Sequence, residues 1–234
     1  MSNIFKLNDI NKFFGKNKVL DSINLSIDQG EIVGLLGLNG QGKSTLIKIL
    51  LGLLKQSSGT ITRNIDFKQQ CGVVLQDIAI PEKMKVIEWL NLLKAFSNEK
   101  QDIDKILNQV DLLQEKDKYC SNLSGGQQRR LQYAASLVNN PDFLVLDEPT
   151  AGMDIASQEL FWDNIYSKVK KEQLSVFLIS HDLDEIEEFA TRIIILDAGK
   201  IILDKNVAEI FKNPKNKHDK LKKIFKEKVT YAKH

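Results

Sequence analysis

The sequence predicts an α/β fold: a mostly parallel sheet core, an antiparallel β portion near the N-terminus, and a helical portion set into the middle. Three observations predict it. Residues 143–146, 155–171, 176–179, 183–189 and 193–196 alternate between apolar runs of strand length and segments of helical period, the pattern of a parallel sheet with crossover helices. A glycine-rich loop at 37–45 lies between an apolar strand and an apolar-periodic helix. From about 81 to 138 the spacing is helical throughout.

The N-terminal strands come first. Residues 4–7 and 19–27 read as strands, the second with Leu20, Ile23, Leu25 and Ile27 apolar. Asp28-Gln29-Gly30 supplies a turn into the apolar run 31–36. After the loop, Leu46, Ile47, Ile49, Leu50, Leu53 and Leu54 recur at helical spacing, and short strands follow at 60–62 and 72–75. One helix is marked by Val86, Trp89, Leu90, Leu93 and Phe96, and a second by Ile103, Ile106, Leu107 and Val110. The third runs from Ser124 through Leu131, Ala134 and Ala135 to Val138. Asn139-Asn140-Pro141-Asp142 turns the chain into the buried strand 143–146. Ala198-Gly199-Lys200 is a hairpin turn into 201–203. Residues 1–210 thus read as one domain with a helical subdomain at about 80–138. Residues 211–234 read as a Lys-rich, solvated tail in which Leu221, Ile224, Phe225 and Val229 make a weak apolar stripe.

Composition narrows the function. Hydrophobic residues at 42% and charged residues at 27% are ordinary for a globular domain, and a net charge of +2 gives no footprint for nucleic acid. No run of about 18 apolar residues spans a bilayer, and residues 1–6 carry no signal-peptide core. Any membrane component must therefore come from another chain. Cys71 and Cys120 have neither metal-site nor disulfide-framework spacing and read as small apolar side chains.

Three motifs carry chemistry. Gly37-Leu38-Asn39-Gly40-Gln41-Gly42-Lys43-Ser44-Thr45 matches G-x-x-x-x-G-K-[ST] in the strand-to-helix context that motif requires. Backbone N–H groups and the helix N-terminus would cradle phosphate oxygens; Lys43 would reach the β- and γ-phosphates, and Ser44 would hold Mg²⁺. Asp147 and Glu148 end a buried strand, at the edge where open α/β sheets bind ligands, with Asp147 for the Mg²⁺ shell and Glu148 to polarise water. In Leu123-Ser124-Gly125-Gly126-Gln127-Gln128-Arg129-Arg130, Ser124 is a good N-cap, and two glycines in the first helical turn would let a phosphate approach.

With these residues in view, the chain resembles the nucleotide-binding subunits of ATP-binding-cassette (ABC) transporters over roughly residues 4–210. The resemblance implies a P-loop NTPase, RecA-like fold. In that family Leu123 to Gln127 corresponds to the signature sequence, contributing Ser124, Gly125, Gly126 and Gln127 to ATP. The carboxylates correspond to Walker B. Gln76 resembles the Q-loop glutamine, which senses Mg²⁺ and the attacking water and links to the membrane partner. His181 resembles the switch histidine at the γ-phosphate, and Asp154, in Ala151-Gly152-Met153-Asp154, the D-loop. Phe14 resembles the aromatic that stacks on adenine, with the adjacent Phe13 as its alternative. Leu38 and Gln41 stand where the family's commonest loop has proline and alanine, a change that bears on loop stiffness.

The resemblance implies an ATPase using ATP and Mg²⁺, closed as a homodimer, or as a heterodimer with a similar ATPase, around two nucleotides. It would drive a separate transmembrane permease from the cytoplasmic face of a bacterial cell membrane, peripheral to it. Residues 75–84 and 159–163 look similar to drug and antimicrobial-peptide exporter subunits, so export is the expected direction. A soluble ABC ATPase outside transport, as in iron–sulfur cluster assembly, is the alternative. A small-molecule kinase is disfavoured by the Ser124 to Gln127 helix and by His181.

Overall fold

The computed structural model describes residues 3–75, 80–98, 101–211 and 217–229, and the chain divides into two compact units, Met1–Ile65 with Phe177–His234, and Asp66–Val176.

The first unit opens with β1 (Asn3–Phe14) and β2 (Asn17–Asp28), followed by β3 (Ile32–Leu36), α1 (Lys43–Leu50) and β4 (Ser58–Arg63). Strands β2, β1 and β4 form an antiparallel sheet in that order. Period-two burial along Phe5, Leu7 and then Ile23, Leu25, Ile27 puts one face of it in the core. The period breaks between Leu7 and Ile10 and between Leu20 and Ile23, and there the backbone bulges: Asp9 and Ser22 take left-handed conformations at φ 49° and 52°. The buried Asn11 joins the two bulges, its amide donating to the Asp9 carbonyl (2.9 Å) and accepting from the Ser22 N–H (2.9 Å). This lets β1 run to Phe14, well past the strand 4–7 expected from apolar residues alone.

The second unit contains α2 (Phe67–Gln70), β5 (Cys71–Val74), α3 (Val86–Ala95), α4 (Ile103–Gln109), α5 (Gly125–Leu137), β6 (Phe143–Asp147) and α6 (Ile155–Glu172). Strands β5 and β6 pair in parallel, Cys71 opposite Phe143 and Val74 opposite Leu146. A Cβ on Gly72 would meet the Ser136 carbonyl oxygen at 2.4 Å, so this glycine admits α5 against β5. From there seven residues of α5 back to Arg129, about 10.5 Å of helix, match the three residues of chain from Gly72 to Leu75, about 10 Å of strand. Arg129 is thereby delivered to the C-terminal end of β5.

Strand β7 (Ser175–Ile179) returns the chain to the first unit, which continues with α7 (Leu183–Phe189), β8 (Arg192–Asp197), β9 (Lys200–Asn206), α8 (Val207–Ile210) and α9 (Lys217–Lys228). Strand β3 pairs in parallel with β8, and β8 pairs antiparallel with β9, so this sheet is mixed. Every residue of β3 is buried. Gly34 lets α7 lie on it, since a Cβ there would be 2.9 Å from an Ile186 methyl and 3.2 Å from Ala190 Cβ. The Lys-rich segment, read from sequence as a solvated tail, contains α9, which packs on α7; Leu221 within it is fully buried, and Val229, just past its end, nearly so. Those two residues belong to the stripe that looked weak in sequence.

Candidate nucleotide site

In the first unit the glycine-rich loop continues the all-buried β3. A Cβ on Gly37 would sit 2.5 Å from the Leu196 carbonyl oxygen, and one on Gly42 would sit 2.9 Å from that of Val19. Gly40 and Gly42 adopt left-handed φ values of 80° and 101°, so an L side chain is strained at both. Helix α1 starts at Lys43 with Gly42 as its N-cap, which places the open helix N-terminus inside the loop. Lys43 is 9% exposed, and its ammonium donates to the carbonyls of Gly37 (2.5 Å) and Leu38 (3.0 Å), so the loop orients its own lysine. Asn39, Gly40 and the Ser44 side chain are exposed, and Thr45 is half-buried. Gln41, one of the two departures from the family's loop, accepts a short hydrogen bond from the Ala198 N–H. The loop is thus tied to the β8–β9 turn. His181 is exposed between Ser180, whose hydroxyl accepts from the Asp182 N–H (3.0 Å), and Asp182, which caps α7 through the Asp184 N–H (2.8 Å). Phe13 and Phe14 are 43% and 51% exposed at the β1–β2 hairpin. The ammonium of Lys18 lies over the first ring and that of Lys12 over the second. Consecutive strand residues point to opposite faces, so only one of these rings faces a given ligand.

In the second unit, β6 ends on Asp147 and Glu148 follows it, both half-buried. Glu148 has φ 51° and is followed by Pro149, a backbone that a non-glycine residue adopts only under constraint. The constraint is visible. Arg129, 7% exposed, donates one amino group to the carbonyls of Glu148 (2.6 Å) and Asp147 (3.3 Å), and the other to the Leu75 carbonyl (2.9 Å) and Gln132 Oε1 (2.7 Å).

Helix α5 opens with a full capping box. The Ser124 hydroxyl accepts from the Gln127 N–H (3.2 Å), and Gln127 Oε1 accepts from the Ser124 N–H (3.0 Å). The two glycines after it differ. A Cβ on Gly125 would meet nothing within 4 Å, whereas one on Gly126 would lie 3.1 Å from the Gly152 carbonyl oxygen. Packing against the 151–154 turn therefore accounts for Gly126 inside this chain, without a phosphate. Asp154 caps α6 through the Ser157 N–H (2.9 Å) and hydroxyl (2.9 Å), and the backbone bond first, then the hydroxyl, hold its carboxyl below the usual range.

Lys43, Ser44 and His181 thus belong to the first unit, and Asp147, Glu148, Ser124 to Gln127 and Asp154 to the second. Gln76 lies outside the described residues, as do Asp77, Ile78 and Ala79. The residue that sequence reasoning left without a role is Arg129. Its signal was present: Arg129, Gln132 and Ser136 recur at i, i+3 and i+7, a polar stripe on a helix face that turns out to be buried. The cysteines are unpaired, and burial pushes the Cys71 thiol up to about 12 and raises that of Cys120.

Taken separately, each unit supplies an oxygen donor that fits a hard divalent cation carried with a nucleotide. A serine hydroxyl at a helix N-terminus and a strand-end carboxylate are oxygen donors of the kind Mg²⁺ takes alongside phosphate oxygens. Among the described residues no helix is long and apolar enough to cross a membrane.

Residues 20–151 match the family model described as ABC transporter. The chain is 36% identical over 196 residues to the zinc import ATP-binding protein ZnuC of Rickettsia conorii, covering 83% of each. It is 31% identical over 217 residues to the Nod factor export ATP-binding protein I of Cupriavidus metallidurans, covering 87% of this chain and 71% of that protein. Among solved structures it is similar to cbiO1 of Clostridium perfringens, described as part of the ABC transporter complex cbiONQ. The TM-score is 0.79 at 28% identity, over 96% of this chain and 95% of that one.

Proposed function

The chain belongs to the ABC transporter family as an ATP-binding, ATP-hydrolysing domain, and on that premise we propose that it drives a separate transmembrane permease by closing with a second ATPase subunit around two Mg·ATP. One observation carries the reading: a chain with a single phosphate loop, at Lys43, also presents a second capped helix end whose Gly125 faces open space. A helix end of that kind suits the phosphate of a nucleotide held by another subunit.

In this reading Lys43 holds the β- and γ-phosphates, while Ser44 and Asp147 hold Mg²⁺, which draws charge from the phosphate oxygens. Glu148 takes a proton from the water that attacks the γ-phosphorus as the bond to ADP breaks, and His181 steadies the transferred phosphate. Gln76 joins the metal shell and the link to the permease. Phe14 stacks on adenine, and Asp154 reaches the opposite subunit. Loss of the γ-phosphate then opens the pair. The subunit would work at the cytoplasmic face of the membrane, peripheral to it.

Export does not gain support from the relatives. The zinc import protein matches at higher identity than the export protein, so uptake is the better supported direction, and nothing favours the iron–sulfur assembly alternative.

Size-exclusion chromatography of Glu148→Gln with and without Mg·ATP tests the pairing. The expected result is an ATP-dependent shift to twice the mass; an elution volume indifferent to ATP would rule out the homodimer. Mixing with a paralogous ATPase from the same cells then distinguishes a heterodimer from no dimer at all.

A further inference from the structure

Arg129 lies on α5, yet three of its hydrogen bonds leave the helix, to Leu75 at the end of β5 and to Asp147 and Glu148 at the end of β6, and a fourth goes to the Gln132 side chain one turn on. The shortest of these four, 2.6 Å, is to the carbonyl of Glu148. That residue combines a left-handed backbone, φ 51°, with a proline after it, Pro149. Its carbonyl also accepts from the Ala151 N–H at 3.3 Å, so the turn after β6 closes on the atom that Arg129 holds.

A planar guanidinium can fork between two strand ends, and bonds from a charged donor are stronger than neutral ones. The direction of the Glu148 side chain follows from the backbone angles that this fork fixes.

We propose that Arg129 is a positioning residue for hydrolysis: it locks the main chain at Glu148 so that the carboxylate meets the attacking water, and it contributes to turnover without contributing to nucleotide affinity. The proposal rests on Glu148 acting as the base, as inferred above. It makes α5 do two jobs from opposite ends of its first two turns, since Ser124 and Gly125 look outward while Arg129 sets the geometry of this chain's own carboxylate.

Single-turnover ATP hydrolysis, equilibrium binding of a fluorescent ATP analogue and thermal unfolding, measured on Arg129→Met, Arg129→Lys and Glu148→Gln and on the double variant Arg129→Met/Glu148→Gln, test it. The expected result for Arg129→Met is a rate lower by roughly 10- to 100-fold with nucleotide affinity within about threefold of the parent, and for Arg129→Lys an intermediate rate, because an ammonium keeps the charge and loses the fork. In the Glu148→Gln background Arg129→Met should change the residual rate little, since the two act as one unit. Full turnover in a folded Arg129→Lys or Arg129→Met would overturn the proposal, and so would additive losses in the double variant. Should Arg129→Met fail to fold, the Lys variant and its own double with Glu148→Gln carry the same decision. Full turnover in Glu148→Gln alone would instead remove the base on which the inference rests.

Discussion

The two units hold their candidate residues by different means. In the first, backbone does the work: glycines at Gly40 and Gly42 take left-handed angles, Gly37 passes a strand carbonyl at close range, and loop carbonyls orient Lys43. In the second, side chains do it: Arg129 straps two strand ends, and Ser124 and Gln127 cap each other. A backbone cradle is suited to gripping an anion, whereas a strap sets the aim of one carboxylate. The difference teaches that affinity should follow Lys43 and turnover Glu148.

Glu148→Gln is the strongest test of that division, with hydrolysis expected to fall by roughly 10²–10⁴ and ATP affinity unchanged. A loss of affinity as large as the loss of rate, seen in the same binding titration, would break the comparison. Lys43→Met should do the reverse, weakening ATP binding by about 10- to 100-fold, as expected when one charge-assisted contact of about 1.5–3 kcal/mol is removed. Calorimetric titration with ATP reads this directly. Gly72→Ala should destabilise the second unit by about 1–3 kcal/mol through overpacking, because its Cβ would collide with the Ser136 backbone. Denaturant titration measures the cost, and nucleotide affinity of the folded fraction should stay put. The smallest effect is expected for Gln41→Ala, which unties the phosphate loop from the Ala198 N–H. About 0.5–1.5 kcal/mol of loop rigidity is at stake, read as a change in ATP affinity of no more than roughly tenfold.

Much of this was legible in the sequence, and the reason differs by region. The alternation from 143 to 196 named its strands and helices because parallel strands are buried on both faces and read as unbroken apolar runs. The phosphate loop was legible because its spacing is dictated by the anion. Residues 8–14 were not: with Asn8, Asp9, Asn11 and Lys12 they show no period-two pattern, and the strand forms because Asn11 bridges two bulges across 11 residues of chain. The apolar stripe of α9 was seen but looked weak since its few apolar residues are diluted among lysines, and only α7 shows which of them matter. Gly126 was read as room for a phosphate, whereas its neighbour Gly152 gives it a reason within the fold. Arg129 was quoted inside a motif and passed over, because its partners lie 54 and 19 residues away.

Three of those partners are main-chain carbonyls, at Leu75, Asp147 and Glu148. An acceptor that every amino acid carries places no demand on which amino acid carries it. The residue at 75 can drift among strand formers with the strap intact, so paired substitution across a set of homologues would leave this connection largely silent. Those three bonds depend on chain path, and the way to see them is to look at where the backbone goes.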